Sequence, residues 1–418
     1  MCGMYGLVLE GGGAKGSYEI GVFKAIQELG IKIGAVTGTS VGALNGAFFA
    51  QKRFEEAYEV WYNMDNGLVL KTDTETYAEL VNFDLKLMNM RKYYSYFTNL
   101  VFDGGLDISP LKELIRKYVD EDLLRNSDID FGLVTVSLTD MKPLEVFIED
   151  IPKGQIHNYL LASAYLPVFK KERLDGARFI DGGFHDNTPV NLIAKKGLKD
   201  IIVVRLKAIG VSQKPKFKDL NLIEIVPSED LGSIMNFDKD IARKNMEIGY
   251  YDALRALSEE IEGYRYCLKN IPDEDYFETH LFNLSDNMIR QIAQELSIKP
   301  GHPKRTLFEK ILPELITLCE LKDSNSYRDL FIKTTEMLAE YYNINRLQIY
   351  EFQELNNLIH ESFRTKNQAT GILPGNLKFN PEILDNLPDM IRSQPIFKRA
   401  HKIPLLLKLL QIGDDLII

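Results

Sequence analysis

From residue 1 to about residue 205, short runs rich in β-branched residues alternate with segments of helical periodicity. Parallel neighbours in a sheet need a long crossover between them, so this alternation predicts a mostly parallel sheet with helices on its faces. The strand candidates are Tyr5 to Leu9, Ile33 to Thr37, Phe131 to Ser137, Leu144 to Ile148, Ala177 to Ile180 and Asp200 to Arg205, with Leu222 to Val226 as a further one. The helix candidates are Ser17 to Leu29, Val41 to Gln51, Phe54 to Met64, Pro110 to Tyr118, Lys153 to Ala164 and Pro189 to Lys196. Ser109 reads as the N-cap of the helix that begins at Pro110. From about Asp238 the pattern changes to long helical stretches: Asp238 to Asn270, Ser285 to Leu296, Lys304 to Glu320 and Tyr327 to Phe363. A chain of 418 residues has room for both parts. The expectation is an α/β domain of three layers over residues 1–235 and an α-helical region over residues 236–418.

The net charge of −10 disfavours a whole-surface attraction to nucleic acid or anionic lipid, so any such partner needs a local site. No nucleic-acid motif and no metal-ligand cluster is present, and neither a cofactor nor a metal is expected. The cysteines Cys2, Cys267 and Cys319 are odd in number and dispersed, which points to a reducing compartment. The N-terminus lacks a basic n-region, and no stretch of about 18 apolar residues occurs. The expected location is cytoplasmic, with peripheral membrane contact left open.

Three short motifs carry chemistry. The first, Glu10-Gly-Gly-Gly-Ala-Lys-Gly16, follows a strand and precedes a helix. Its glycines present bare backbone N–H groups at a helix N-terminus, which suits a pyrophosphate or a developing oxyanion equally well. Gly11, Gly13 and Gly16 also match the dinucleotide fingerprint, but that reading requires an acidic residue about 20 residues further on, at the end of the second strand. Thr37-Gly-Thr-Ser40 stands there instead.

The second motif, Gly38-Thr-Ser-Val-Gly42, lies between a strand and a helix. That is the context of a nucleophile elbow, in which flanking glycines leave room for a strained turn that presents Ser40. The plain alternative is a serine N-cap. The third motif is Asp181-Gly-Gly183, 141 residues after Ser40 and at another strand end, followed by Asp186-Asn-Thr-Pro189. Active sites of parallel sheets gather at carboxyl ends of strands. A turn aspartate is the plain alternative for Asp181, and Asp186 or Asn187 reads as a helix cap.

No histidine follows a strand-end turn in the α/β half. His157 begins a helix, His185 reads as a surface-loop residue, and the other four fall in the helical half. The economical reading is a Ser-Asp dyad in which Asp181 takes the proton of Ser40 directly.

In this order the three motifs resemble those of the patatin-like phospholipase family, and Ala162-Ser-Ala-Tyr-Leu-Pro-Val-Phe169 is similar to the family's helix-to-loop segment before Asp-Gly-Gly. The resemblance covers residues 4 to 205. It implies a three-layer patatin-like domain, Ser40 as nucleophile, Asp181 as its partner, and Gly11, Gly12 and Gly13 as the oxyanion-hole loop. Lys15 takes the basic position of that loop, where relatives often carry arginine; lysine lacks the bidentate fork for anchoring. The implied activity is hydrolysis of phospholipid or lysophospholipid esters through an acyl-enzyme. The alternatives are an inactive lipid-binding protein and a dinucleotide-binding regulatory protein.

Two further stretches are candidates for lipid contact: an aromatic and methionine-rich insertion from Phe83 to Phe102, as a lid or acyl-chain wall, and a basic, apolar tail from Met390 to Ile412. Core packing is the plain reading of each. Oligomeric state, regulation by a partner and positional specificity on the glycerol have no sequence signal.

Overall fold

The computed structural model describes residues 3–71, 105–170, 172–299, 301–322 and 326–370. Cys2, the Phe83 to Phe102 insertion and the Met390 to Ile412 tail lie outside the described residues. The chain divides into two compact units, Met1–Ser258 and Glu259–Ile418.

The first unit is built on a seven-stranded sheet. Its strands are β1 (Tyr5–Leu9), β2 (Ile33–Thr39), β3 (Asp130–Ser137), β4 (Lys142–Phe147), β5 (Phe179–Asp181), β6 (Asp200–Val204) and β7 (Asn221–Ile225). The order is β4-β3-β2-β1-β6-β7, with β5 paired to β3. All pairs among β1, β2, β3, β6 and β7 are parallel, whereas β4 and β5 run antiparallel to β3. The helices are α1 (Ser17–Glu28), α2 (Val41–Ala50), α3 (Phe54–Tyr62), α4 (Ser109–Tyr118), α5 (Glu121–Arg125), α6 (Ile156–Ser163), α7 (Val190–Ala194) and α8 (Lys239–Leu257).

A sheet buried on both faces needs apolar residues at successive strand positions, and Leu7, Val8 and Leu9 are all fully buried. Val8 packs with Val190 and Ile193 of α7. On the opposite face, Gly46 of α2 lies against Leu9, Val36 and Phe131. This gives the three layers, α/β/α, with a mostly parallel centre.

The edges of β3 fix the geometry of the site. One edge is taken by β4 from Gly132 to Ser137. The other is shared: β2 pairs along it as far as Thr39 opposite Val134, and β5 takes over with Asp181 opposite Thr135. The carboxyl ends of β2 and β5 therefore meet head to head in one row. β5 is fed by a two-residue turn, Asp175-Gly176, in which both residues have positive φ (49° and 78°) and Leu174 and Ala177 exchange backbone hydrogen bonds. Those signs are the ones a tight hairpin turn requires.

Helix α8 belongs to the first unit, although its periodicity groups it with the helical region that was expected to begin at residue 236. The reason is a close crossing with α1: a Cβ on Gly21 would lie 1.9 Å from the Met246 carbonyl, and one on Gly249 would lie 2.0 Å from that of Tyr18. The Tyr18 hydroxyl donates to Asp252 across the same contact, at 3.1 Å. The N-cap of α4 also differs from expectation. Ser109 is its first residue, and Asp107 accepts both the backbone N–H and the hydroxyl of Ser109.

The second unit is mainly helical, around a core in which Phe277 stacks on Phe331 at 4.7 Å and meets Phe352 edge-on at 5.8 Å. The expected helix Tyr327 to Phe363 is two helices, Tyr327–Tyr341 and Phe352–Thr370, separated by the strand Ile349–Glu351, which pairs in parallel with Cys267–Lys269. A further helix, Glu274–Asn283, begins at an Asp273 cap that the periodicity does not single out. Glu336, buried at 2% exposure, accepts the amides of Tyr264, Arg265 and Tyr266 on one oxygen. Three such bonds tie the loop before Cys267 to the helix.

Candidate active site

Ser40 sits where β2 becomes α2, with φ 55° and ψ −124°. A non-glycine residue in this region is strained and persists only when its surroundings hold it. The motif glycines allow the turn. A Cβ on Gly38 would fall 2.2 Å from the Gly42 carbonyl oxygen, and one on Gly42 would fall 2.4 Å from that of Leu9. The carbonyl of Ser40 accepts the amides of Ala43 and Leu44, so the helix begins at once behind the side chain and its N-terminal dipole lies beneath it.

Asp181, the last residue of β5, is 4% exposed. Its amide donates to the Tyr165 carbonyl at 2.9 Å, and its Oδ1 accepts the Gly183 amide at 2.7 Å. Burial pushes its carboxyl up to about 6, while the Ser40 side chain and the Gly183 amide oppose the rise. The Ser40 hydroxyl is close enough to exert that effect without closing a hydrogen bond: Asp181 Oδ2 is buried and has no partner among the described residues. Such contacts commonly tighten only when substrate is bound.

The glycine loop lies against this pair. Gly11 spans the closest approach: a Cβ there would be 2.3 Å from Asn187 Oδ1 and 3.2 Å from the Ser40 Cβ. Its amide donates to the Asn187 carbonyl at 3.1 Å, so Gly11 does not offer the oxyanion donor expected of it. The Ala14 amide is likewise occupied, by the Ile234 carbonyl. Gly12 and Gly13 are the loop positions whose amides make no hydrogen bond among the described residues. Gly13 needs its glycine, with φ 56° and a would-be Cβ 2.2 Å from the Ile234 carbonyl oxygen. A Cβ at any of these three glycines would meet Asn187, Leu206 or Ile234, so the loop is packed on its Cα side.

Two charged residues fix the loop to the chain after β6. Glu10 Oε2 accepts from Arg205 Nε at 3.2 Å and from the amides of Leu206 and Lys207. Lys15 Nζ reaches back to the carbonyls of the same two residues, at 3.5 and 3.4 Å. Lys15 therefore anchors backbone, a role that asks for a point charge rather than a fork.

Asp186 and Asn187 do not cap a helix. Asp186, raised to about 6 by burial, accepts the amides of Thr188 and Gln213, and its carbonyl receives the Thr39 hydroxyl at 2.7 Å. Asn187 donates its Nδ2 to the Gly11 carbonyl at 3.0 Å. Both hold the loops around Ser40 together, a job with no local spacing to betray it. His185 pairs with Glu145 at 3.0 Å, and His157 with the Val119 carbonyl at 2.8 Å. Neither is joined to Ser40.

Ser40 and Gly13 open into an apolar pocket of about 690 Å³, mouth included. Leu44, Phe48, Trp61, Leu114 and Phe169 contribute to its walls, and all belong to the first unit. Trp61 is held by a hydrogen bond from its Nε1 to Asn45 Oδ1 at 2.9 Å. Behind it, Asn45 also donates to Glu19, whose full burial pushes its carboxyl well up.

The site thus joins a buried acidic residue, a strained serine, a glycine loop and an apolar pocket on a mostly parallel α/β sheet. Residues 7–194 match the model of the patatin-like phospholipase family. Similar proteins include a patatin-like phospholipase domain-containing protein of Caenorhabditis elegans, 26% identical over 288 residues, which are 66% of this chain and 19% of the relative. Lysophospholipase NTE1 of Mycosarcoma maydis is 27% identical over 228 residues, 52% of this chain and 10% of the relative. Human patatin-like phospholipase domain-containing protein 6 is 24% identical over 292 residues, 68% of this chain and 19% of the relative. The chain thus spans between 10% and 19% of the length of these relatives. Among solved structures, VipD from Legionella pneumophila aligns over 98% of this chain and 92% of its own, with 13% identity and a TM-score of 0.39.

Proposed function

We propose that the first unit is a serine acyl hydrolase acting on carboxyl esters of phospholipids or lysophospholipids. The observation that carries the reading is the meeting of β2 and β5, which brings Ser40, a lining residue of the apolar pocket, to Asp181, whose buried Oδ2 has no partner among the described residues. Ser40 Oγ attacks the ester carbonyl as its proton passes to Asp181. The oxyanion forms beside the free amides of Gly12 and Gly13, each such donor contributing roughly 3 kcal/mol to the transition state. Asp181 returns the proton to the leaving alcohol, the acyl group remains on Ser40, and water activated by Asp181 releases the fatty acid. An aspartate is intrinsically a weak base. Its raised pKa narrows the gap to the serine hydroxyl, and the oxyanion donors supply the rest.

No helix among the described residues is long and apolar enough to cross a membrane. Access to phospholipid is proposed to be peripheral and local. Co-sedimentation with anionic vesicles, with and without residues 390–418, measures whether the basic tail contributes.

The reading is tested by profiling lipids released by wild-type and Ser40→Ala protein, together with fluorophosphonate labelling. Fatty acid release and labelling at Ser40 are expected in the wild type, and neither in the variant. Undiminished release by Ser40→Ala would sink the assignment.

A further inference from the structure

The end of α6 contributes to the site in a way the mechanism above does not use. Ser163 is fully buried. Its Oγ accepts the Ser40 amide at 2.9 Å and donates to the Val134 carbonyl at 2.6 Å. Two residues on, the Tyr165 carbonyl accepts the Asp181 amide at 2.9 Å. One short stretch of chain thus grips the backbone of both Ser40 and Asp181.

The need for this grip follows from the sheet. A strand residue pairs its amide with a carbonyl of its neighbour, but β2 stops pairing with β3 at Thr39, and β5 takes the edge from Thr135 onward. The Ser40 amide falls at the gap. The Ser163 hydroxyl spans it, acceptor on one side and donor on the other, which a hydroxyl can be and an aliphatic side chain cannot. The turn it holds is strained, with Ser40 at φ 55°. Its carbonyl side is fixed by the first turn of α2, and its amide side by Ser163.

We propose that Ser163 is a positioning residue: its hydroxyl, bridging the Ser40 amide to the Val134 carbonyl, sets the angle of the strained turn so that Ser40 Oγ faces Asp181. The proposal rests on the reading of Ser40 as nucleophile and Asp181 as base. Ser163 touches neither substrate nor reacting atom. Removing its hydroxyl frees the Ser40 peptide to rotate, which misdirects Oγ while leaving the acyl pocket unchanged.

The test compares wild type, Ser163→Ala and Ser163→Cys on a soluble short-chain ester and with a fluorophosphonate, well below the thermal midpoint of each protein. Cysteine fills the site but hydrogen-bonds weakly, so it supplies the decisive protein if Ser163→Ala does not fold. Expected are falls of about tenfold or more in kcat and in the rate of labelling at Ser40, with KM changed by less than about threefold. A structural role alone would lower the thermal midpoint without that split. Wild-type labelling rate and kcat in a folded Ser163 variant would overturn the proposal. A wild type that does not label at Ser40, with turnover retained in Ser40→Ala, would instead strike the dyad reading and take this proposal with it.

Discussion

Thr39 and Asp181 stand opposite consecutive residues of one strand, Val134 and Thr135, although 142 residues separate them in sequence. Ser40 and Asp181 are consequently brought together along a row of the sheet, end against end, and do not sit on neighbouring strands. The distance between them is set by backbone pairing, the most rigid element available.

The strain at Ser40 predicts a stability gain when it is relieved. Ser40→Gly should stabilise the first unit by about 1 kcal/mol, the strain released being roughly 1–3 kcal/mol and the glycine entropy cost roughly 0.5–1 kcal/mol. Ser40→Ala keeps the strain and should leave the thermal midpoint within a degree or two. Equal midpoints for the two variants would show that the turn stores no strain.

Turnover should depend on pH through Asp181. Its carboxyl is raised to about 6 by burial and must be ionised to accept the Ser40 proton. Activity is therefore expected on the alkaline side of about pH 6, and kcat/KM should fall roughly tenfold per unit below it. Asp186 is raised to a similar value, so the same profile is measured on Asp186→Asn. The acid limb should survive that substitution, and its disappearance would reassign the titration.

The same group predicts a stability trend of opposite sense. Its folded pKa lies above the unfolded one, so the proton-linked stabilisation is complete below about pH 4 and is lost as pH rises through about 6. At pH 8 the ionised, buried carboxylate costs the folded state on the order of 3 kcal/mol. Asp181→Asn should be inactive yet melt above the wild type at pH 8, with the difference closing near pH 4. Thermal melts at the two pH values measure it.

Within the glycine loop the three positions should differ. Gly13→Ala meets the Ile234 backbone with positive φ, and Gly11→Ala meets Asn187 beside Ser40. Each should cost about 2–4 kcal/mol. Gly12→Ala meets the flexible end of Leu206 and has an extended φ of −179°, so it should cost about 1 kcal/mol. Midpoints ranked in any other order would contradict the packing described for the loop.

Chain-length preference should respond to Leu114, a half-buried residue of the pocket wall. Leu114→Trp adds bulk to that wall. Activity on a long-chain p-nitrophenyl ester should drop about tenfold relative to the acetate, since each buried methylene contributes about 0.8 kcal/mol and two would be displaced. An unchanged ratio would remove the pocket from the acyl-binding role.

Much of this was legible in the sequence because it is written locally. Gly38 to Gly42 announces the elbow by residue type and spacing, and the two glycines meet the backbone contacts that the motif demands. Strands of five or more residues also declare themselves by composition. β5 has three residues and no periodicity, so its antiparallel entry against β3 was not readable, although Asp181 was. Ser163, Asn187 and Glu10 act across long sequence separations on bare backbone groups. Nothing near them in the chain marks that task. The break at residues 342–351 was hidden because helical residues flank a three-residue strand.

The Asp175-Gly176 turn offers a natural point of division. A polypeptide cut there would carry Ser40, the glycine loop and Ser163 on one fragment, and Asp181 on the other. Neither half would hold both Ser40 and Asp181, and three ladder positions between β3 and β5 and four between β1 and β6 would have to re-form to restore the sheet. Under the proposed function, turnover is expected only when the two parts are rejoined.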